Sequence, residues 1–288
     1  MDEPVLLRTV LGSYPHVAAL RDGRVTSDRV KLEFIDYNPL PPAFRLMVRD
    51  AGLDLSEMAV VTHLLACHYD RPLVGLAVPL WSRLPHTNLM CPADSPISHP
   101  RDLAGTRIGV RAYAQTSGVW VRGILESTYG VDLDRITWGT MEDAHLPEYV
   151  DPPNTTRYPA KPALRDLMMQ GEFSAIMGER IVDPAGVRTV IPDAEAAGVA
   201  WVEKAGFSPI NHGAVLRRDL HQAHPWLAAE LMTMFAQARA FAVADGAPDP
   251  GACGLAANHA TIQLLLDHSY RQKITPRRYQ AEELFLPL

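Results

Sequence analysis

The sequence predicts a two-lobed α/β protein with a cleft between the lobes, and three observations support this fold class. Strand-like and helix-like segments alternate in two successive sets, which is typical of mainly parallel sheets. A Pro-rich stretch at residues 92–100 separates the sets, and the end of the chain returns to the first one. The 288 residues suffice for two such lobes. We predict one discontinuous lobe, residues 1–93 plus 206–288, and a second lobe, residues 94–205.

The first set combines apolar strands with helices that begin at proline or at a capping residue. Residues 39–42 begin a helix that continues to about residue 50, because proline is tolerated in a first helical turn. Ser56 is a suitable N-cap and Glu57 complements the dipole of a first turn, so a second helix is predicted to start at Leu55. The strands of this set are predicted at residues 5–11, 30–37 and 73–80.

The second set starts with a strand, a polar turn and a helix, predicted at residues 107–111, 112–118 and 119–129. Its other strands are predicted at residues 135–138, 175–177 and 187–191, with a helix at 161–170. The chain then returns through a strand at 210–216, followed by helices at 224–244 and 258–270.

Composition excludes several classes of protein. The 27 Lys and Arg residues against 33 Asp and Glu give a net charge of −6, which argues against a nucleic-acid partner. The N-terminus has no secretion-signal pattern, and no apolar run reads as long enough to span a membrane, so a cytoplasmic location is expected. Cys67, Cys91 and Cys253 are widely spaced, which predicts free thiols rather than disulfides or a zinc site.

The most informative stretch runs from Arg107 to Leu125. A strand that passes through Thr116, Ser117 and Gly118 into a helix brings unpaired backbone N–H groups and hydroxyls to one point. The N-terminus of a helix attracts anions, and Arg111 adds a planar guanidinium suited to a carboxylate. These residues predict a pocket for a small organic anion.

A series of motifs runs in order along nearly the whole chain: Asp22-Gly23 before residues 25–31, Asp54-Leu-Ser-Glu-Met58, Gly109-Val-Arg-Ala-Tyr113, residues 118–125 with Tyr129-Gly-Val-Asp132, His145 with Glu148-Tyr149, and Thr275-Pro-Arg-Arg278 with residues 282–285. Together these motifs resemble the 4,5-dihydroxyphthalate decarboxylase family. The resemblance implies the fold of type II periplasmic binding proteins, with two α/β lobes around a ligand cleft.

The activity that the resemblance implies is a carboxy-lyase reaction on a hydroxylated aromatic dicarboxylate, 4,5-dihydroxyphthalate to 3,4-dihydroxybenzoate and CO2. Each carboxylate is para to a ring hydroxyl, so withdrawing the hydroxyl proton directs electron density to the carbon that bears the carboxylate. The ring is its own electron sink, and no organic cofactor is expected; a requirement for a divalent metal is left open. The protein must supply a cation, a general acid and a partner for the phenol.

Three residues are candidates for the acid–base chemistry. His212 starts a returning strand and is the leading general acid, because histidine exchanges protons near neutral pH. His16 follows the first strand and is assigned to the phenol oxygens. Glu57 is assigned to orienting a histidine or accepting from a hydroxyl. Each has a structural alternative. His212 could be a buried histidine bonded to a backbone carbonyl, and His16 a simple turn residue. Glu57 could merely complement the dipole of its helix.

Arg111 is the predicted carboxylate clamp, with a solvated or ion-paired arginine as the alternative. The other substrate-binding candidates are Tyr113, Thr116, Ser117, Gly118, His145, Glu148, Glu179 and Arg180.

A non-catalytic solute-binding protein for an organic anion, as in transport systems, is the rival interpretation, since it uses the same fold and pocket. A small aromatic dicarboxylate is the expected partner, without nucleic acid or membrane. The identity of the aromatic acid and the oligomeric state, including a homo-oligomer, are left open by the sequence.

Overall fold

The computed structural model describes residues 3–178 and 185–288, which divide into two α/β units. Unit 1 comprises Met1–Ser82, Ile210–Leu266 and Tyr279–Leu288, and unit 2 comprises Arg83–Pro209 and Asp267–Arg278.

The strands of the described residues, in chain order, are β1 (Val5–Val10), β2 (Val30–Phe34), β3 (Leu55–Ala59), β4 (Leu73–Ser82), β5 (Leu89–Pro92), β6 (Arg107–Val110), β7 (Thr137–Thr140), β8 (Thr155–Arg157), β9 (Ala175–Met177), β10 (Val187–Thr189) and β11 (Ile210–Arg217). The helices are α1 (Pro15–Arg21), α2 (Pro41–Asp50), α3 (Val60–His68), α4 (Thr116–Tyr129), α5 (Leu164–Met169), α6 (Ala194–Ala205), α7 (Arg218–Ala223), α8 (Leu227–Ala244), α9 (Leu255–Arg271) and α10 (Ala281–Leu284).

The unit boundaries differ from the predicted 93/94 and 205/206. Strand β5 pairs with β9 and β10 of the second sheet, so the change of unit precedes residue 93. Residues 267–278 also pack with unit 2, where the side chain of Gln272 accepts a hydrogen bond from Arg122. Sequence alternation did not show these pairings because they join segments far apart in the chain.

Unit 1 is built on a five-stranded mixed sheet in the order β2-β1-β3-β11-β4. Strand β1 is parallel to both of its neighbours, whereas β11 is antiparallel to β3 and β4. This order places the end of β1, the middle of β3 and the start of β11 beside one another. Those three points carry the candidate catalytic residues of this unit.

Helix α8 belongs to the core of unit 1, where Leu231, Phe235 and Ala238 are buried against strand residues such as Leu7 and Leu216. Among the described helices it is the one long and apolar enough, by length and composition, to cross a membrane, which differs from the sequence prediction. Because its apolar residues pack into this core, the helix is weak evidence for a membrane span.

Unit 2 is built on a six-stranded sheet in the order β10-β5-β9-β6-β7-β8. Strand β6 is central and parallel to β7 and β9. Its last residues are buried, and helix α4 follows after a short loop. The carboxyl end of a central parallel strand therefore leads into the N-terminus of α4, which is where α/β proteins commonly bind ligands.

Candidate active site

Glu57 is the centre of a buried hydrogen-bond network in unit 1. Its carboxylate is fully buried. One oxygen accepts from the backbone N–H of Gly12 at 2.8 Å. The other accepts from the hydroxyl of Tyr14 at 2.9 Å and contacts Nδ1 of His212 at 2.6 Å. Three donors on a single buried carboxylate fix its position and that of the histidine.

The predicted helix start at residues 55–58 is wrong. These residues form strand β3, and α3 begins at Val60. Glu57 lies opposite Ala214 of β11, so pairing with two neighbouring strands decides the conformation. An N-cap and a favourable charge in the first turn each stabilise a helix by about 1 kcal/mol. The strand pairing outweighs this stabilisation.

His212 lies in β11, as predicted, and its ring is packed on two sides. The Trp81 ring centroid is 4.7 Å away, and Phe44 makes an edge contact at 5.2 Å. The side chain is 15% exposed. Since Nδ1 contacts Glu57, Nε2 is the other ring nitrogen of His212. The arrangement holds an imidazole in one orientation and leaves one nitrogen for proton exchange.

Tyr14 and His16 extend this network at the start of α1. Their rings stack with centroids 5.2 Å apart. Burial, and then the neighbouring Glu57, raises the pKa of Tyr14, so its hydroxyl keeps the proton that it donates to Glu57. His16 Nε2 lies 3.1 Å from the carbonyl oxygen of Leu80, and burial lowers the pKa of His16. A neutral His16 that donates from Nε2 has Nδ1 as an acceptor.

An irregularity in the sheet adjoins His212. Ile210 pairs with Ser82 and His212 with Trp81, so Asn211 is the extra residue of a bulge in β11. Bulges are enriched next to active sites. Asn211 is 1% exposed, and neither its amide nitrogen nor its amide oxygen has a hydrogen-bond partner among the described residues. It is an unsatisfied polar group one residue from the candidate acid.

The predicted anion site lies in unit 2, at the junction of β6 and α4. Helix α4 starts at Thr116 rather than at residue 119, and its N-cap is Gln115, which makes no side-chain capping hydrogen bond. The predicted hydroxyl cap is therefore wrong: Thr116, Ser117 and Gly118 are the buried first helical turn. The side chain of Gln115 instead donates to the carbonyl of Gly178 at 3.0 Å.

Arg111 follows β6 directly and is about one-third exposed. Its Nε lies 4.0 Å from a carboxylate oxygen of Glu142 and has no hydrogen-bond partner among the described residues. A contact of this length between half-exposed groups contributes about 0–1 kcal/mol. Burial, and then the charge of Arg111, lowers the pKa of Arg83 to about 10. Two arginines therefore place positive charge in the same part of unit 2.

Tyr113 and Trp120 are both buried residues of unit 2. Tyr113 is 4% exposed, and its hydroxyl donates to the carbonyl of Gln272 at 3.1 Å. This contact supports the loop that leads into α4, and the assignment of Tyr113 to the substrate stays a prediction.

His145 and Glu148 lie in the irregular segment after β7, and Glu148 is exposed. They are not on a helix, so their spacing has no metal-binding geometry. No cluster of three or more potential metal ligands occurs within residues 3–178 and 185–288. Glu179 and Arg180 lie outside the described residues.

Comparison with known proteins adds to this geometry. No family model matches the chain. A 4,5-dihydroxyphthalate decarboxylase from Comamonas testosteroni is 28% identical over 98% of this chain and 96% of its own length. The protein of the same name from Pseudomonas putida is 28% identical over 62% of this chain and 74% of its own length. The chain is similar in sequence to proteins named 4,5-dihydroxyphthalate decarboxylase. The resemblance inferred from the motifs is confirmed.

The predicted fold class is confirmed by solved structures. The periplasmic aliphatic sulphonate binding protein SsuA from Escherichia coli matches with a TM-score of 0.60 at 16% identity, over 98% of this chain and 97% of its own. The desulfurization enzyme DSZB matches with a TM-score of 0.53 at 12% identity, over 97% of this chain and 96% of its own. This two-lobed α/β fold thus occurs in a binding protein and in an enzyme, and function has to be argued from the site.

The motifs quoted in the sequence analysis contain some residues of the candidate site but not all of them. Glu57 and Arg111 lie inside quoted motifs, whereas Tyr14 and Asn211 were not recognised as candidates. Tyr14 could have been found from its place between β1 and His16, since residues at the carboxyl end of a strand commonly face a site. Asn211 gave no signal beyond its adjacency to His212.

Proposed function

We propose that this chain is a carboxy-lyase acting on a hydroxylated aromatic dicarboxylate, and that it converts 4,5-dihydroxyphthalate to 3,4-dihydroxybenzoate and CO2. The observation that carries the proposal is the 2.6 Å contact between the buried carboxylate of Glu57 and His212, in a relative of decarboxylases of that name. A solute-binding role requires no oriented acid–base pair.

The reaction needs one proton moved onto the ring and one moved off a hydroxyl. Withdrawing the proton of the hydroxyl para to the leaving carboxylate pushes an electron pair to the carbon bearing that carboxylate. A general acid protonates this carbon and gives a dienone. The bond to the leaving carboxylate then breaks and CO2 departs, while its electron pair restores the aromatic ring and returns the carbonyl electrons to oxygen. The resulting phenolate takes its proton back from the base.

In this proposal His212 is the general acid. Its Nδ1 is held by Glu57, so Nε2 carries the proton that is delivered to the ring carbon. Glu57 fixes the orientation of the imidazole and stabilises its charged form, which is the role of the carboxylate in other carboxylate–histidine pairs. The contacts of Tyr14 and Gly12 keep the Glu57 carboxylate in place.

His16 serves as the base for the phenol in this proposal. Burial lowers its pKa, which keeps the imidazole neutral near neutral pH. The Leu80 carbonyl occupies Nε2, so Nδ1 is the nitrogen that accepts the proton. Within unit 2, Arg111 and the first turn of α4 are proposed to bind a carboxylate. The reaction uses no organic cofactor in this scheme, and we place the enzyme in the cytoplasm.

The second candidate function is binding of a small organic anion without chemistry, and the fold shared with SsuA favours it. One experiment separates the two. Purified protein is incubated with 4,5-dihydroxyphthalate, after chelation and again with added divalent metal, while 3,4-dihydroxybenzoate is followed by chromatography and CO2 is collected. The proposal expects equal amounts of both products and their loss in His212→Gln. Saturable binding of the substrate without either product under both conditions would support the binding protein instead.

A further inference from the structure

Arg122 is a fully buried arginine in α4 with an incomplete set of partners. Its Nε donates to the side-chain oxygen of Gln272 at 2.7 Å, and its Nη2 donates to the carbonyl of Tyr113 at 2.6 Å. The guanidinium carbon lies 4.0 Å from the centroid of the Tyr113 ring. The third nitrogen, Nη1, is buried and has no hydrogen-bond partner among the described residues.

The unpartnered nitrogen lies against the first turn of α4. Helical side chains lean toward the N-terminus, so Arg122 reaches back over Gly118, one turn earlier. A Cβ built on Gly118 would lie 3.3 Å from Nη1, so the guanidinium occupies space that the missing side chain leaves. The contact with the Tyr113 carbonyl fixes the charge beneath the loop between β6 and α4.

This position is electrostatically unfavourable for an arginine when the protein is considered alone. The N-terminus of a helix carries partial positive charge and repels cations. A guanidinium stays protonated in proteins, and burying it needs compensation by a negative group. None of the described carboxylates forms an ion pair with Arg122. Asp151 acts on it only electrostatically, and Asp151 is itself a half-buried group whose pKa is raised, chiefly by burial.

We propose that Arg122 is the buried cation of a carboxylate-binding site at the N-terminus of α4. It is a positioning residue that acts through the first turn of the helix: its charge adds to the helix dipole, and an incoming carboxylate supplies the missing negative charge. A side chain at position 118 would crowd Nη1, which would have to shift by a few tenths of an ångström. The choice of an aromatic carboxylate as the ligand rests on the proposed function. The site itself is inferred from the contacts of Arg122 alone.

The test compares binding with stability in Arg122→Gln, using phthalate as an unreactive carboxylate probe and catechol as a probe with hydroxyls only. Calorimetry should show phthalate affinity at least about tenfold weaker in the variant, about 1.4 kcal/mol, with catechol affinity unchanged. Without ligand, the midpoint of urea unfolding should fall, because the Gln272 side-chain oxygen and the Tyr113 carbonyl lose their donors. The ligand selectivity therefore decides the test: a purely structural arginine would weaken both probes alike.

Two further variants keep the test decisive if Arg122→Gln folds poorly. Arg122→Lys retains the charge and should recover part of the phthalate affinity. Gly118→Ala adds one methyl group beside Nη1, favours the helix, and should weaken phthalate binding without lowering the unfolding midpoint. Phthalate binding that is unchanged in both Arg122→Gln and Gly118→Ala, or absent in the wild type, would overturn the inference. Binding of phthalate by a wild type that forms no CO2 would reject the proposed function and leave this inference intact.

Discussion

Replacing Glu57 with glutamine is the sharpest test of the proposed chemistry, because it changes one atom of the network. The carboxylate receives donors on both oxygens: Gly12 on one, Tyr14 and His212 on the other. An amide offers a single oxygen, so one orientation loses the contact with Gly12 and the other loses two contacts. The first is favoured, and an unpaired buried N–H lowers the free energy of unfolding by about 1–3 kcal/mol.

The same substitution removes the negative charge beside the imidazole. If His212 is the general acid, Glu57→Gln removes the charge and part of the fixed orientation on which proton delivery depends, and we expect kcat to fall about 10²- to 10³-fold. Steady-state kinetics with 4,5-dihydroxyphthalate measures the effect, and circular dichroism with urea unfolding establishes that the variant is folded.

Tyr14→Phe is the matched control for that measurement. It removes one neutral donor from Glu57 and leaves the carboxylate and its contact with His212 in place. We expect kcat to fall by less than about tenfold, since a neutral hydrogen bond contributes about 0.5–1.5 kcal/mol. A folded Glu57→Gln variant with kcat within about threefold of the wild type would refute the assignment of Glu57 and His212 as an acid–base pair.

The remaining predictions concern one cation and two histidines. His212→Gln should lower kcat about 10²- to 10⁴-fold with a small change in KM, and initial rates over a range of substrate concentrations decide this. Arg111→Ala should raise KM at least about tenfold with kcat nearly constant; kinetics equal to wild type would remove the clamp assignment. Burial lowers the pKa of His63 from 6.5 to about 4, so stability is complete above pH 6.5 and falls by about 3 kcal/mol as the pH drops to about 4. Urea unfolding at pH 7 and pH 4 measures this loss, and His63→Gln should reduce it. If the difference in free energy of unfolding between the two pH values is the same in the variant, burial of His63 is not its cause.

Most of the regular elements could be predicted from local patterns. The segments that became β1, β4, β11, α8 and α9 are long or apolar enough to be predicted from the local sequence. The missed elements give weaker local signals: strands β3, β5 and β8, and helices α1, α6, α7 and α10. Their conformation comes from pairing and packing partners that lie far away in the chain, which a sequence window does not contain.

The candidate site shows the same division. The sequence identified His212, His16 and Glu57 by their chemistry and by the motifs of a family. It did not show that two of them touch, because Glu57 and His212 are 155 positions apart and meet only through the pairing of β3 with β11. That pairing also converted the predicted helix start at Glu57 into a strand.

By itself, the sequence determined the fold class, the family resemblance and the residue types available for acid–base chemistry, because these depend on periodicity, motif order and side-chain chemistry. Only the tertiary structure decided which groups share a proton network and which buried groups lack a partner. Burial and hydrogen bonding depend on atoms brought together across the whole chain. The unpaired guanidinium nitrogen of Arg122 beside Gly118 is such a feature. Helix spacing alone brings residues 118 and 122 together, but only the packing of α4 into unit 2 buries this nitrogen without a partner among the described residues.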